Sequence, residues 1–190
     1  TLFLNGASGN LHTSDPRHSG RGLSVAEAGE RLAQDVQRGL AAMTFEDDVT
    51  LAAATRTLDL PYRAPSEDEV RGDIRGAQRF IDPAIYDRRI PALLAKIRAR
   101  GGVHRAEVQA LTLGPYGFVA VPGELFVEVG LQIKTQSHSA HALVVSCANG
   151  RVGYIPTQAA FARSGYETTF GPSSMLAPEA GAMITEAAVD

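Results

Sequence analysis

Four side chains in this sequence combine reactive chemistry with a suggestive position: Glu124, Tyr154, Tyr166 and His12. Glu124 stands behind Val121-Pro122-Gly123, so a carboxylate follows an apolar run on a stiff turn. Open α/β sheets build their sites at such places, just past the ends of strands. A glutamate there also suits the first turn of a helix, where its charge offsets the positive N-terminal end. Spacing alone leaves both readings open. Asn5 to His12 and Asn149 to Tyr154, with Tyr166 beyond, are the other polar segments that follow apolar runs. His12 carries an imidazole that titrates near neutrality and can serve as acid, base or ligand, whereas an exposed loop histidine is the ordinary alternative.

Other reactive side chains carry weaker signals. His138 and His141 are spaced for a metal only if their segment is helical, yet they precede an apolar strand in a serine-rich stretch, which predicts a solvated turn. Cys147 closes that strand and reads as a small core residue, with no neighbouring histidine or lysine to activate its thiol. Arg151, after Asn149-Gly150, faces either a site or water.

Composition bounds what these residues can serve. The 190 residues carry 18 Lys+Arg against 21 Asp+Glu, a formal charge of -3, which leaves no field to attract nucleic acid or an anionic membrane. With 44% hydrophobic residues the chain can bury a core and is not intrinsically disordered. One cysteine excludes an internal disulfide framework and a cysteine-cluster metal site, and it leaves the compartment open. No apolar run reaches the length of a membrane span, so no transmembrane segment is expected. Thr1 to Leu4 read as the end of a buried strand, and a start at Thr1 is what a cut or processed chain would show.

The elements that must position the candidates follow from local patterns. A tight glycine loop over Asn5 to Asn10 follows the first apolar residues, and a polar loop runs to Gly22. Ser24 and Glu27 form a capping box, and Val25, Ala28, Leu32, Val36, Leu40 and Met43 share one face, which predicts a helix from Val25 to Met43. Val49 to Leu60 predicts a strand with one face packed, stopped by Pro61. Ser66 and Glu69 open a helix expected to reach Phe80, and Asp82-Pro83 open another, broken at Pro91 and stopped by Gly101-Gly102. Val103 to Leu113 and Tyr116 to Val121 predict a hairpin at Gly114-Pro115, followed by a helix from Glu124 to Lys134. Ala142 to Ser146 predicts a central strand. A short helix over Thr157 to Ala162, an irregular loop over Ser164 to Ser174 and a closing helix over Pro178 to Val189 complete the chain. This irregular alternation predicts an α/β fold with mixed β-sheets flanked by helices.

Four ordered blocks of this sequence resemble the catalytic domain of neutral/alkaline non-lysosomal ceramidases and their bacterial relatives. They are Phe3 to Asn10, Ala120-Val121-Pro122-Gly123-Glu124-Leu125-Phe126, Cys147 to Thr157 with the core Asn149-Gly150-Arg151-Val152-Gly153-Tyr154, and Gly165-Tyr166-Glu167. The ending from Ser173 to Val189 is similar as well. The resemblance implies that residues 1–190 are the C-terminal portion of a larger, here incomplete, ceramidase-like catalytic domain. It also implies a zinc-dependent amidohydrolase that cleaves an N-acyl amide, either ceramide-like lipid or a related acyl amide. By motif, Glu124 and Tyr154 would be metal ligands, and Tyr166 would lie beside the scissile amide. The two histidine ligands of the family come from segments before Thr1, so the resemblance implies a missing upstream part as a partner. Where the family carries a Gly-Asp-x-Ser-Pro sequence, this chain reads Gly9-Asn10-Leu11-His12-Thr13, and His12 takes the serine's place.

Two other classes stand beside this reading. A non-catalytic module could keep the fold after losing the serine equivalent. Alternatively, Thr1 could be an N-terminal nucleophile whose own amine acts as base.

Overall fold

The computed structural model describes residues 2–15, 17, 20, 22–71, 73 and 83–189. The order of elements is α1 (Val25–Ala42), β1 (Leu51–Pro61), α2 (Glu67–Arg71), α3 (Pro83–Ala99), β2 (Val103–Leu113), β3 (Tyr116–Val121), β4 (Glu124–Leu125), α4 (Val127–Gln136), β5 (His141–Ser146), β6 (Tyr154–Ile155), α5 (Gln158–Arg163) and α6 (Ala180–Val189). The chain divides into a larger unit, residues 1–10 and 50–190, and a smaller one, Leu11–Val49.

The larger unit is α/β with mixed sheets, as expected. Its four-stranded sheet runs β1-β2-β3-β5, antiparallel across β1, β2 and β3 and parallel between β3 and β5. A second, two-stranded parallel sheet joins β4 to β6. The parallel pairing of β3 and β5 needs a crossover, and α4 supplies it. Strand residues alternate strictly: Gly117, Val119 and Val121 of β3 are buried, and the residues between them are partly open. On the buried side Leu60, Val119, Val121 and Val144 meet Ile133 of α4, Ile184 of α6 and Ile90 of α3. Leu125, Ile155 and Phe170, all fully buried, continue this core beneath the small sheet.

The hairpin forms where it is expected, with Gly114 at φ +54 in the turn. Gly101 and Gly102, at φ +66 and +79, end α3 in a left-handed turn that only glycine adopts without strain. Pro91 does not break α3. Ile90 and Leu93 are both buried, so tertiary packing on either side of the proline holds the helix through the one backbone bond it loses.

Several expectations fail for reasons of packing. Leu2 and Phe3 are 80% and 72% exposed and belong to no strand, so the expected buried strand end is absent at these residues. Their segment meets the sheet where Asn5 O accepts from Ser146 N–H. β5 ends the described sheet instead of lying at its centre, because its apolar run packs one face on α4 while Leu143 stays open. Most of β1 is exposed, since it is the opposite edge and only Leu58 and Leu60 near its end reach the core. The helix expected from Glu124 begins three residues later. Glu124 N–H donates to Gly153 O and Phe126 N–H to Ile155 O, which draws Glu124 and Leu125 into the small sheet.

In the smaller unit α1 carries the full capping box of Ser24 and Glu27, but none of its residues is buried, so the apolar stripe of Leu32, Val36 and Leu40 is exposed. Ser66 and Glu69 cap α2 reciprocally, as read from their spacing. The remainder of that expected helix toward Phe80 includes residues outside those described, and Thr1 and Asp82 are also outside them.

Candidate active site

Glu124 and Tyr154 are register partners on the parallel strands β4 and β6, so two residues thirty positions apart stand side by side. The backbone imposes this. Gly153 O accepts from Glu124 N–H at 2.9 Å, and Tyr154 N–H donates to Ser173 O at 2.8 Å. Close approach is possible because Gly123 and Gly153 lack side chains: a Cβ on Gly123 would lie 2.7 Å from Gly153 O, and one on Gly153 2.4 Å from Ser173 O. Gly9 has the same role on the other side of Glu124, where a Cβ would lie 2.4 Å from the Glu124 carbonyl oxygen.

The loop of Asn5 to Asn10 is a fastening. Gly9 N–H donates to Leu125 O, Asn10 Oδ1 accepts from Val127 N–H at 2.8 Å, and Asn10 Nδ2 donates to Glu128 Oε2 at 2.8 Å. Phe126, at the N-cap of α4, has no side-chain cap of its own, so Asn10 caps that helix from 117 positions away. Only a folded chain could reveal that cap.

Tyr166 joins the pair from the loop after α5. Its ring meets that of Tyr154 edge to face, with centroids 5.8 Å apart at 80°. Tyr166 is half exposed, so its hydroxyl-bearing ring is open to an incoming molecule. Arg151 Nη2 lies 3.5 Å from Glu124 Oε1, with side chains 73% and 28% exposed, an ion pair that the sequence left undecided. Cys147 is exposed at φ +56, not a core residue, because the chain turns sharply where β5 ends. Its thiol is pushed up by partial desolvation first and then by the Glu124 carboxylate.

The phenol of Tyr154 is pushed up to about 12, by partial burial first and then by the charge of Glu124 and its hydrogen bond, with smaller effects from Tyr166 and Glu167. Without a cation this phenol therefore keeps its proton and shares it with Glu124. A divalent ion fits the donor chemistry, since carboxylate and phenolate oxygens are both zinc ligands and the ion would take the place of that proton. Among the described residues no three His, Cys, Asp or Glu side chains form a group able to hold a metal.

His12 belongs to the smaller unit, and its Nδ1 accepts from Ser14 N–H at 3.2 Å. His138 sits in an exposed bend, as expected, whereas His141 begins β5 with its ring stacked on Tyr116 at 5.0 Å.

No protein-family model matches the chain, and no curated protein does. The chain is similar to solved ceramidases. One is neutral ceramidase from Pseudomonas aeruginosa, at 19% identity and a TM-score of 0.48, covering 74% of this chain and 28% of that one. Another is a ceramidase complexed with C2, at 23% identity and a TM-score of 0.41, covering 47% of this chain and 14% of that one. The chain thus spans less than a third of the length of either structure. No described helix is long and apolar enough to cross a membrane.

Proposed function

We propose that this chain is part of a ceramidase-like, zinc-dependent amidohydrolase that cleaves an N-acyl amide, with its imidazole ligands supplied by polypeptide outside residues 1–190. The observation that carries the reading is the pairing of Glu124 with Tyr154 across β4 and β6, with Tyr166 against the same ring. The sequence resemblance assigns related roles to these three residues, which lie on separate segments, and the fold gathers them at one place. Glu124 and Tyr154 would hold the zinc ion. When bound, the ion supplies Lewis acidity toward the amide carbonyl and lowers the pKa of a water toward neutrality.

The remaining work falls to this chain's own groups. Tyr166, partly open, would donate its hydroxyl proton in a hydrogen bond to the carbonyl oxygen as charge develops there. Arg151 would stay beside Glu124 and orient the carboxylate through their ion pair. Deep burial of Gly123, Gly153 and Ile155 keeps the two donor-bearing strands from shifting. His12 is proposed as a further acid, base or ligand in place of the family's serine. The substrate is proposed as ceramide-like lipid or a related acyl amide.

The test uses the full-length protein. Glu124→Gln keeps shape and removes the charge, and loss of even an outer-shell partner of a metal ligand costs about 10–100-fold in affinity. Zinc content by mass spectrometry should fall at least that far after dialysis, together with amide hydrolysis. Unchanged zinc in the variant overturns the assignment. Wild-type protein free of metal and inactive on acyl amides would support a non-catalytic module instead.

A further inference from the structure

Strand β1 forms one edge of the four-stranded sheet, and its hydrogen bonds at either end fix which way each backbone group points. Tyr62 N–H donates to Gly102 O just past one end, and Thr50 O accepts from Gly114 N–H just before the other, so the even-numbered residues turn their backbone polar groups toward β2. The odd-numbered residues turn theirs outward. On that outer side Arg63 N–H donates to Met175 O and Pro61 O accepts from Ala177 N–H, a short antiparallel ladder about the bridge between Tyr62 and Leu176. The edge therefore accepts an antiparallel partner, but this ladder stops at Pro61. Among the described residues no backbone bond reaches the outward groups of Leu51, Ala53, Thr55, Thr57 and Asp59.

Natural sheets guard such an edge with bulges, lysines, prolines or a covering segment. The register of β1 with β2 runs without a bulge from Leu51 to Pro61, the strand holds no lysine, its proline is its last residue, and every residue from Leu51 to Thr57 is exposed. The sequence of β1 also complements itself. Turned antiparallel about a two-fold axis at Thr55, it sets Thr55 against Thr55, Ala54 against Arg56, Ala53 against Thr57, Ala52 against Leu58 and Leu51 against Asp59. Small residues of one half meet larger residues of the other, no like charges are opposed, and two threonines make a favourable cross-strand pair. In this register the outward residues are the hydrogen-bonded pairs, each exchanging two backbone bonds. An axis at Arg56 would instead oppose two guanidinium groups.

We infer that β1 is a self-association edge: a second copy of this chain pairs its own β1 antiparallel to the first about Thr55, and two four-stranded sheets become one continuous sheet. The same patch is used on both copies, so the contact closes on itself and yields a dimer, not a fibre. The edge involves neither Glu124 nor a metal, so it stands whether or not the chain belongs to a zinc hydrolase.

The experiment follows the whole chain by sedimentation equilibrium from about 1 μM to about 0.5 mM, where a dimer with a dissociation constant on the order of 10 μM should form. Hydrogen exchange at the two ends of that range should show the outward amides of Ala53, Thr55 and Thr57 gaining protection as the dimer forms, while those of Ala54 and Leu58, bonded to β2, are protected throughout. Thr55→Pro removes an outward donor from each copy at the axis, leaves the ladder to β2 intact and should weaken association at least about tenfold. Thr55→Lys and Thr55→Glu are milder, since the side chain is exposed. Each opposes like charges and should weaken the dimer about fivefold, and the two variants mixed should associate more tightly than either alone. A monomer at about 0.5 mM, outward amides whose exchange ignores concentration, or a mixture of the two charged variants no tighter than each by itself would overturn the inference.

Discussion

Replacing Gly153 by alanine strikes the turn that sets Glu124 beside Tyr154. Gly153 has φ +89, a left-handed conformation that costs a residue with a Cβ about 1–2 kcal/mol. The added Cβ would lie 2.4 Å from Ser173 O and 2.8 Å from its carbon. Both are backbone atoms, so relief means moving the chain, and overpacking of this kind costs about 1–3 kcal/mol. Alanine also narrows the unfolded ensemble, which offsets about 0.4–1 kcal/mol. The net loss is therefore about 1–5 kcal/mol. The same movement reaches the site, because Ser173 O is the acceptor for Tyr154 N–H and Gly153 O the acceptor for Glu124 N–H. The assay is urea unfolding of Gly153→Ala beside Gly150→Ala. A Cβ on Gly150 would meet nothing closer than Pro122 Cβ at 3.4 Å, so that control should stay within about 0.5 kcal/mol of the parent. Equal midpoints for the two variants would refute the reasoning, since only Gly153 is buried in a left-handed conformation against backbone atoms, whereas Gly150 is exposed with room for a Cβ.

Further expectations follow from the same geometry. The phenol of Tyr154 titrates at about 12 in the folded chain against a reference of 10.0. The unfolded chain thus releases its proton first; the stabilisation is fully present below pH 10.0 and is lost as pH rises through about 12. Unfolding midpoints measured across that range should fall less steeply for Tyr154→Phe, and identical slopes would count against it. Asn10→Ala removes the cap of α4 and should cost about 0.5–2 kcal/mol by thermal unfolding, with the largest loss of hydrogen-exchange protection at Val127. Full protection of that amide in the variant would show that something other than Asn10 holds it.

Much of the secondary structure was legible because it depends on neighbours in the chain. The capping boxes at Ser24 and Ser66, the glycine stop after α3 and the hairpin at Gly114 are all governed by interactions within a few residues, and each forms where its pattern stands. The failures share a cause. Whether Glu124 begins a helix or joins a strand depends on carbonyls thirty residues away, whether β5 lies at a centre or an edge depends on which strands pair with it, and Pro91 is tolerated because Ile90 and Leu93 find a core.

By itself the sequence determined that an α/β chain with mixed sheets would form, and it singled out Glu124, Tyr154 and Tyr166 as chemically able residues. Tertiary structure alone decided that these three converge, that Arg151 attends Glu124, that Asn10 caps a distant helix and that Arg63 is largely buried in an ion pair with Glu69. The physical reason is range. Propensity and capping act over single turns, whereas a site of this kind is made by backbone ladders and glycine clearances between segments that meet only after the chain has closed on its core.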